Sequence, residues 1–334
     1  MHYLSRGVFL GALLVSVAAS ADTPPANQPQ AAAVAAPHPD KRDFDASKFR
    51  NDALRLPKSG LKSHQFTIEY VPPKDPKHTH LYDLLRQRKV LEKFQEFLAP
   101  IYLPNPVKLQ TIGCDGVVNA HFWKNTVQVC YEYFDWIHQN TPKVSQAGMS
   151  PHDAMIGPTV DVFLHETGHA ILQLLDIPIF AREEDAADYV ALIIMLEFSR
   201  EDARRLILGA SIIAGHDAKQ EQEKHPSLRT LADMHSLPAV RYFNRWCMAY
   251  GMDPVLFADA IELGLLSPGR ASHCRYEYSY NADAFKRLIT PYLDPDFVQE
   301  VRSRKWFEFD TPFAQAEPHL KSTVKTAPAS TAKQ

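Results

Sequence analysis

Two runs decide how this chain is read: Val162-Phe163-Leu164-His165-Glu166-Thr167-Gly168-His169-Ala170-Ile171-Leu172-Gln173-Leu174-Leu175 and, after a turn, Arg182-Glu183-Glu184-Asp185-Ala186-Ala187-Asp188. The first run is apolar on most sides and holds no proline, so it predicts a largely buried helix. On a helix, residues four apart share a face, which lets His165 and His169 approach one metal ion together. Glu166 lies on the flank of that face, where its carboxylate reaches a water rather than the ion. This division suits hydrolysis, since zinc lowers the pKa of a water to about 7 and a carboxylate then takes the proton.

A catalytic zinc usually has three protein ligands. The extended pattern with a glycine and a third histidine further along the same helix is excluded, because Leu172 and Leu175 stand there. The third ligand must come from elsewhere. Asp176-Ile177-Pro178 turns the chain, and the second run opens a helix that can lie antiparallel to the first. Glu184 and Asp188 share a face of it, so Glu184 can bind the metal while Asp188 accepts a hydrogen bond from the outer nitrogen of a ligand histidine. Glu183 competes for the ligand role, but Ala187 four residues on offers it no supporting carboxylate. An acidic helix start complementing the macrodipole accounts for Glu183 and Glu184, though poorly for Asp188.

Around this centre, Leu81, Leu84, Leu85, Leu91, Phe94 and Leu98 predict one amphipathic helix ending near Pro100. Three β-like segments follow, 107–112, 117–122 and 126–133, the last on the alternation of Val127, Val129, Tyr131 and Tyr133. Helices are predicted near 158–175, 182–198, 201–222, 239–250, 254–263 and 282–290. A small sheet followed by a helical half is an α+β arrangement. The segment 126–133 could serve as an edge that aligns an extended peptide through its main chain.

The ends of the chain read differently. Arg6 precedes an apolar run from Gly7 to Ala19 and the small-x-small step Ala19-Ser20-Ala21, the layout of a signal peptide over 1–21. No cysteine adjoins that step, which argues against a lipid anchor. Residues 22–45 form a Pro/Ala-rich linker and 316–334 a polar tail, leaving 46–315 as the folded body. A net charge of −3, with 45% hydrophobic and 22% charged residues, gives no pull toward nucleic acid. No later run suggests stable membrane insertion, so the expected home is periplasmic or secreted. Four cysteines suit an oxidising compartment. Cys114–Cys130 and Cys247–Cys274 are the favoured pairs because each closes a short loop, with four free thiols as the alternative.

These motifs resemble the gluzincin clan and, more narrowly, a family of uncharacterised bacterial metallopeptidase-like proteins with HExGH and REEDAAD helices. The resemblance extends to Leu103-Pro104, Asn119-Ala120, Cys130-Tyr131, Asp233-x-His235, Arg241-Tyr242-x-Asn244, Tyr250-Gly251 and Glu277. It implies a zincin-like fold and a peptidase holding one zinc ion per chain through His165, His169 and Glu184. Glu166 would be general base and then acid, and Asp188 would orient a ligand. His235, near Asp233, is the first candidate to stabilise the oxyanion, and Arg241 the second. His121, His216, His225 and His273 read as surface or core residues, and Asp161 as helix-start charge or support for the metal. The expected partner is a peptide or protein substrate. A non-catalytic zinc scaffold recognising exported or cell-envelope proteins is the alternative, which the intact Glu166 argues against.

Overall fold

The computed structural model describes residues 60–141, 149–224 and 226–309. The expected signal segment 1–21, linker 22–45 and tail 316–334 lie outside them, as do both ends of the 46–315 body. In chain order come β1 (Phe66–Tyr70), α1 (Thr79–Gln87), α2 (Val90–Leu98), β2 (Val107–Ile112), β3 (Ala120–Trp123), β4 (Thr126–Cys130) and α3 (Tyr131–Asn140). Helices follow: α4 (Pro151–Leu174), α5 (Glu183–Leu196), α6 (Arg200–Lys224), α7 (Leu228–Leu231) and α8 (Pro238–Met252). The last are α9 (Asp259–Glu262), α10 (Pro268–Leu288) and α11 (Pro295–Ser303). A small sheet precedes a helical C-terminal half, the α+β arrangement read from the sequence.

The sheet has the order β1-β2-β4-β3, with β1, β2 and β4 parallel and β3 antiparallel to β4. Alternate residues of β2 (Val107, Leu109, Thr111) are buried, the period-2 pattern of a strand with one face on the core. Lys124 and Asn125 join β3 to β4 as a two-residue turn, both at positive φ (47° and 58°), which matches the twist of a tight hairpin.

Helix α4 is the spine. It starts at Pro151, where the Ser150 hydroxyl accepts the Asp153 N–H, and it runs on through Pro158. Glycines let its neighbours come close. A Cβ on Gly157 would stand 2.4 Å from the Leu206 carbonyl of α6, and one on Gly168 would stand 3.1 Å from Cα and carbonyl of Ala187 on α5. Only a glycine fits at the first crossing, and a side chain at the second would force a shift of a few tenths of an ångström. Phe163, Leu164 and Ile171 of α4 are fully buried in the main core together with Leu192 and Met195 of α5.

Several expected boundaries move. The helix expected across 81–98 is two, because Lys89 takes the left-handed conformation at φ 52° and ends α1. The Tyr70 hydroxyl then accepts the Leu91 N–H at 2.8 Å and donates to Glu92 at 2.7 Å, starting α2 afresh. The strand expected at 126–133 ends at Cys130, since Tyr131, Phe134 and Ile137 recur at helical spacing and bury as one face of α3. That strand is also interior: the sheet's edge beside it is β3. The segment expected at 117–122 begins only at Ala120, with Val117 and Val118 exposed beyond a turn at Asp115-Gly116. The helix expected at 254–263 shrinks to α9, and the one expected at 282–290 begins at Pro268, where the Ser267 hydroxyl accepts the Arg270 N–H. β1, α3, α7 and α11 have no counterpart among the expected elements.

Both disulfides pair as favoured: Cys114–Cys130 (Cα–Cα 5.6 Å) ties the turn before β3 to the end of β4, and Cys247–Cys274 (4.9 Å) ties α8 to α10. Among the described residues no helix is long and apolar enough to cross a membrane.

Candidate metal centre

The inward face of α4 presents His165 and His169, each 8% exposed. The chain reverses at Asp176, whose left-handed φ of 50° lets Ile177 N–H return to the Leu172 carbonyl. That turn lays the first coil of α5 against the two imidazoles. Glu184 Oε2 stands 3.1 Å from His165 Nε2 and 3.3 Å from His169 Nε2, and the two Nε2 atoms are 3.3 Å apart. This near-equilateral triangle is the test of fit. A regular tetrahedron with zinc–ligand bonds of about 2.0 Å has edges of about 3.3 Å.

The outer nitrogens explain why those three atoms converge. His165 Nδ1 lies 2.8 Å from Asp188 Oδ1, and His169 Nδ1 lies 2.9 Å from Glu183 Oε1. An ionised carboxylate only accepts, so each Nδ1 carries the hydrogen and donates it. Both Nε2 atoms of neutral imidazoles then present lone pairs, and they face a carboxylate oxygen. Three acceptors aimed at one point repel unless a cation sits among them. Protons meet that need when no metal is bound. Burial lowers the pKa of His165, but Asp188 and Glu184 outweigh it and raise it to about 10. For His169, burial again lowers the pKa while Glu184 and Glu183 raise it further. Burial raises the Glu184 carboxyl, and the imidazoles more than offset this, holding it far below the carboxylate range.

Glu166 is buried (6% exposed) yet is not one of the three converging groups. Burial pushes its carboxyl pKa up, against the opposing pull of His165 and His169. His121 on β3 is close enough for its charge to act on the same carboxyl. The sequence reading passed over it as an ordinary histidine.

His235 sits at the open side with its Nε2 3.0 Å from Glu184 Oε2, its side chain 44% exposed. Asp233 Oδ1 accepts from the backbone N–H of His235 at 2.9 Å and lies 3.1 Å from its Nδ1. Arg182 donates to the His235 carbonyl at 3.0 Å, tying the start of α5 to this loop. Arg241 is turned away from such a role: its guanidinium grips Asp188 with Nε and Nη2, each at 2.6 Å. Asp161 is no helix-start charge, because α4 begins ten residues earlier; it accepts from Arg245 Nη2 at 2.9 Å. His273 is an exposed residue bonded to the Gly269 carbonyl, His216 lies on α6 beside Gln220, and His225 falls outside the described residues.

A second cluster of ligand-type atoms, Cys114, Cys130 and Glu132, is structural. Its sulfurs form the disulfide, and Glu132 accepts the backbone N–H groups of Cys114 and Gly116, each at 2.9 Å. Burial raises the Glu132 carboxyl, but those N–H groups prevail and hold it below its ordinary value.

The His-His-Glu triangle on α4 and α5 is thus a candidate metal site. Residues 70–289, well over half of the chain, match the model of the family described as "Putative metallopeptidase", and the chain belongs to that family. No curated protein and no solved structure gives a significant match.

Proposed function

We propose that this protein is a zinc peptidase of the gluzincin type, with His165, His169 and Glu184 as ligands and Glu166 as the proton-transfer group. The observation that carries this reading is the convergence of two Nε2 atoms and one Oε2 atom, 3.1–3.3 Å apart, beside a buried free carboxylate. A zinc ion bound there would act as a Lewis acid and lower the pKa of a water to about 7.

The chain's own residues perform the rest. Glu166 takes a proton as water oxygen bonds to the carbonyl carbon of the scissile peptide, then returns it to the amine nitrogen as the C–N bond breaks. His235 supports the negative charge that develops on the carbonyl oxygen, with Asp233 setting its orientation. Asp188 and Glu183 hold the two ligand imidazoles in the Nδ1–H tautomer. The outer edge of β3, unpaired among the described residues, suits main-chain pairing with an extended peptide better than β4 does. Two disulfides fit an exported compartment, periplasmic or secreted.

Incubating the purified protein with a mixed peptide library tests this. Wild type should hydrolyse peptides and Glu166→Gln should not, while both retain zinc. A wild type that binds zinc and cuts nothing would favour the non-catalytic scaffold.

A further inference from the structure

The Asp188 carboxylate faces two ways. Toward the metal centre its Oδ1 accepts the Nδ1 hydrogen of His165 at 2.8 Å. From the other side Arg241 of α8 meets it as a fork, Nε to Oδ2 and Nη2 to Oδ1, both at 2.6 Å. A bidentate guanidinium fixes both the plane and the rotation of a carboxylate, which one hydrogen bond does not. One turn along α8, Arg245 holds Asp161 of α4 at 2.9 Å. The same face of α8 therefore grips one carboxylate on each of the two helices that carry the site.

We propose that Arg241 is a positioning residue of the metal centre: by locking Asp188 in one rotation it fixes the tautomer and ring plane of His165. The inference rests on the zinc reading above. Without Arg241, Asp188 would be a half-buried carboxylate with one partner, free to rotate. Rotation carries the acceptor oxygen away from His165 Nδ1. The imidazole can then carry its hydrogen on Nε2, which leaves the nitrogen that faces Glu184 with no lone pair for a metal. Partners of ligand histidines are worth roughly 10- to 100-fold in metal affinity. Arg241 works through one such partner, so its effect is bounded by the same range. It lies 53 residues from Asp188 and 76 from His165, so no local spacing betrays the link.

The test is Zn2+ affinity of the full chain, measured by competition with a chelator, with thermal unfolding of the zinc-free protein as a separate readout. Arg241→Met should weaken binding about tenfold or more. Arg241→Lys should recover only part, because an ammonium cannot fork across both oxygens. If Arg241 acts through Asp188, then Asp188→Asn weakens binding at least as much, and the double variant is no weaker than Asp188→Asn alone. An Arg241→Met affinity within about twofold of wild type overturns the proposal, as do single losses that multiply in the double. A wild type that takes up no zinc overturns the metal reading instead, and the first titration tells the two apart. Should Arg241→Met fail to fold, Arg241→Lys and the double variant, which leaves no unpaired buried charge, carry the same comparison.

Discussion

His169 donates its Nδ1 hydrogen to Glu183 at 2.9 Å, repeating on the second imidazole what Asp188 does for the first. Gln173, one turn beyond His169, donates to the same Glu183 oxygen at 2.7 Å and holds the carboxylate in place. The adjacent glutamates of the second run thus divide the work. Glu184 points its oxygen between the imidazoles, and Glu183 reaches round to the outside of one of them.

The two supports differ in exposure, which orders their effects. The Glu183 side chain is 41% exposed and that of Asp188 17%. Water can replace a lost carboxylate at the first site more readily than at the second. Glu183→Gln should therefore weaken zinc binding by less than Asp188→Asn, which should fall in the roughly 10- to 100-fold range for such partners. Chelator competition on the two variants checks the order, and a larger loss at Glu183 would contradict it.

Metal uptake should release protons. His165 has a pKa near 10 without metal and His169 is also raised, so the free site holds protons at neutral pH that a bound cation displaces. Apparent zinc affinity should rise as pH goes from 6 to 8, by about tenfold per unit for each proton displaced. Calorimetry in buffers of different ionisation enthalpy counts those protons. An affinity flat across that range, with no buffer dependence, would contradict the arrangement.

Glu132 gives a stability signature away from the metal. Its carboxyl pKa is lowered in the folded chain from 4.5, so its stabilising contribution is full above that value and is lost as pH falls through the folded one. The unfolding temperature of wild type should exceed that of Glu132→Gln at pH 7, and the gap should narrow as pH falls below 4.5. A gap that widens on acidification would show that Glu132 does not work through its charge.

Gly168 tests the helix crossing. Alanine there gains about 0.5–1 kcal/mol in helix propensity. The new Cβ, however, meets the Cα and carbonyl of Ala187 at 3.1 Å, so the backbones of α4 and α5 must shift apart by a few tenths of an ångström. Overpacking costs about 1–3 kcal/mol, so the net effect of Gly168→Ala is a loss. Thermal unfolding of the zinc-free variant reads it; a gain in stability would mean that α4 and α5 part easily.

The centre was largely legible in the sequence because it is built from short spacings. His165 and His169 share a helix face, and Glu184 and Asp188 share another. Glu183 was weighed as a rival ligand and as helix-start charge, never as the acceptor for an outer nitrogen. Two histidines sharing one face have two outer nitrogens, and counting both would have asked for the second acceptor. Arg241 could not be placed from spacing, since its partner lies 53 residues away. The local errors have local causes. Tyr131 and Tyr133 continue the alternation of β4, but Tyr131, Phe134 and Ile137 bury as a helix face, so tertiary burial decided that boundary. The start of α10 lay upstream of the expected 282–290: Pro268-Gly269 open the helix, capped by Ser267. Lys89 broke a continuous helical pattern by taking a left-handed conformation that no proline or glycine announced.

Elemental analysis reads whether His165, His169 and Glu184 hold one zinc ion. The full chain, purified under zinc-replete conditions and dialysed, should carry one zinc per chain, and Glu184→Ala should carry far less while remaining folded. A folded wild type with no zinc under those conditions would mean that these three residues hold no zinc.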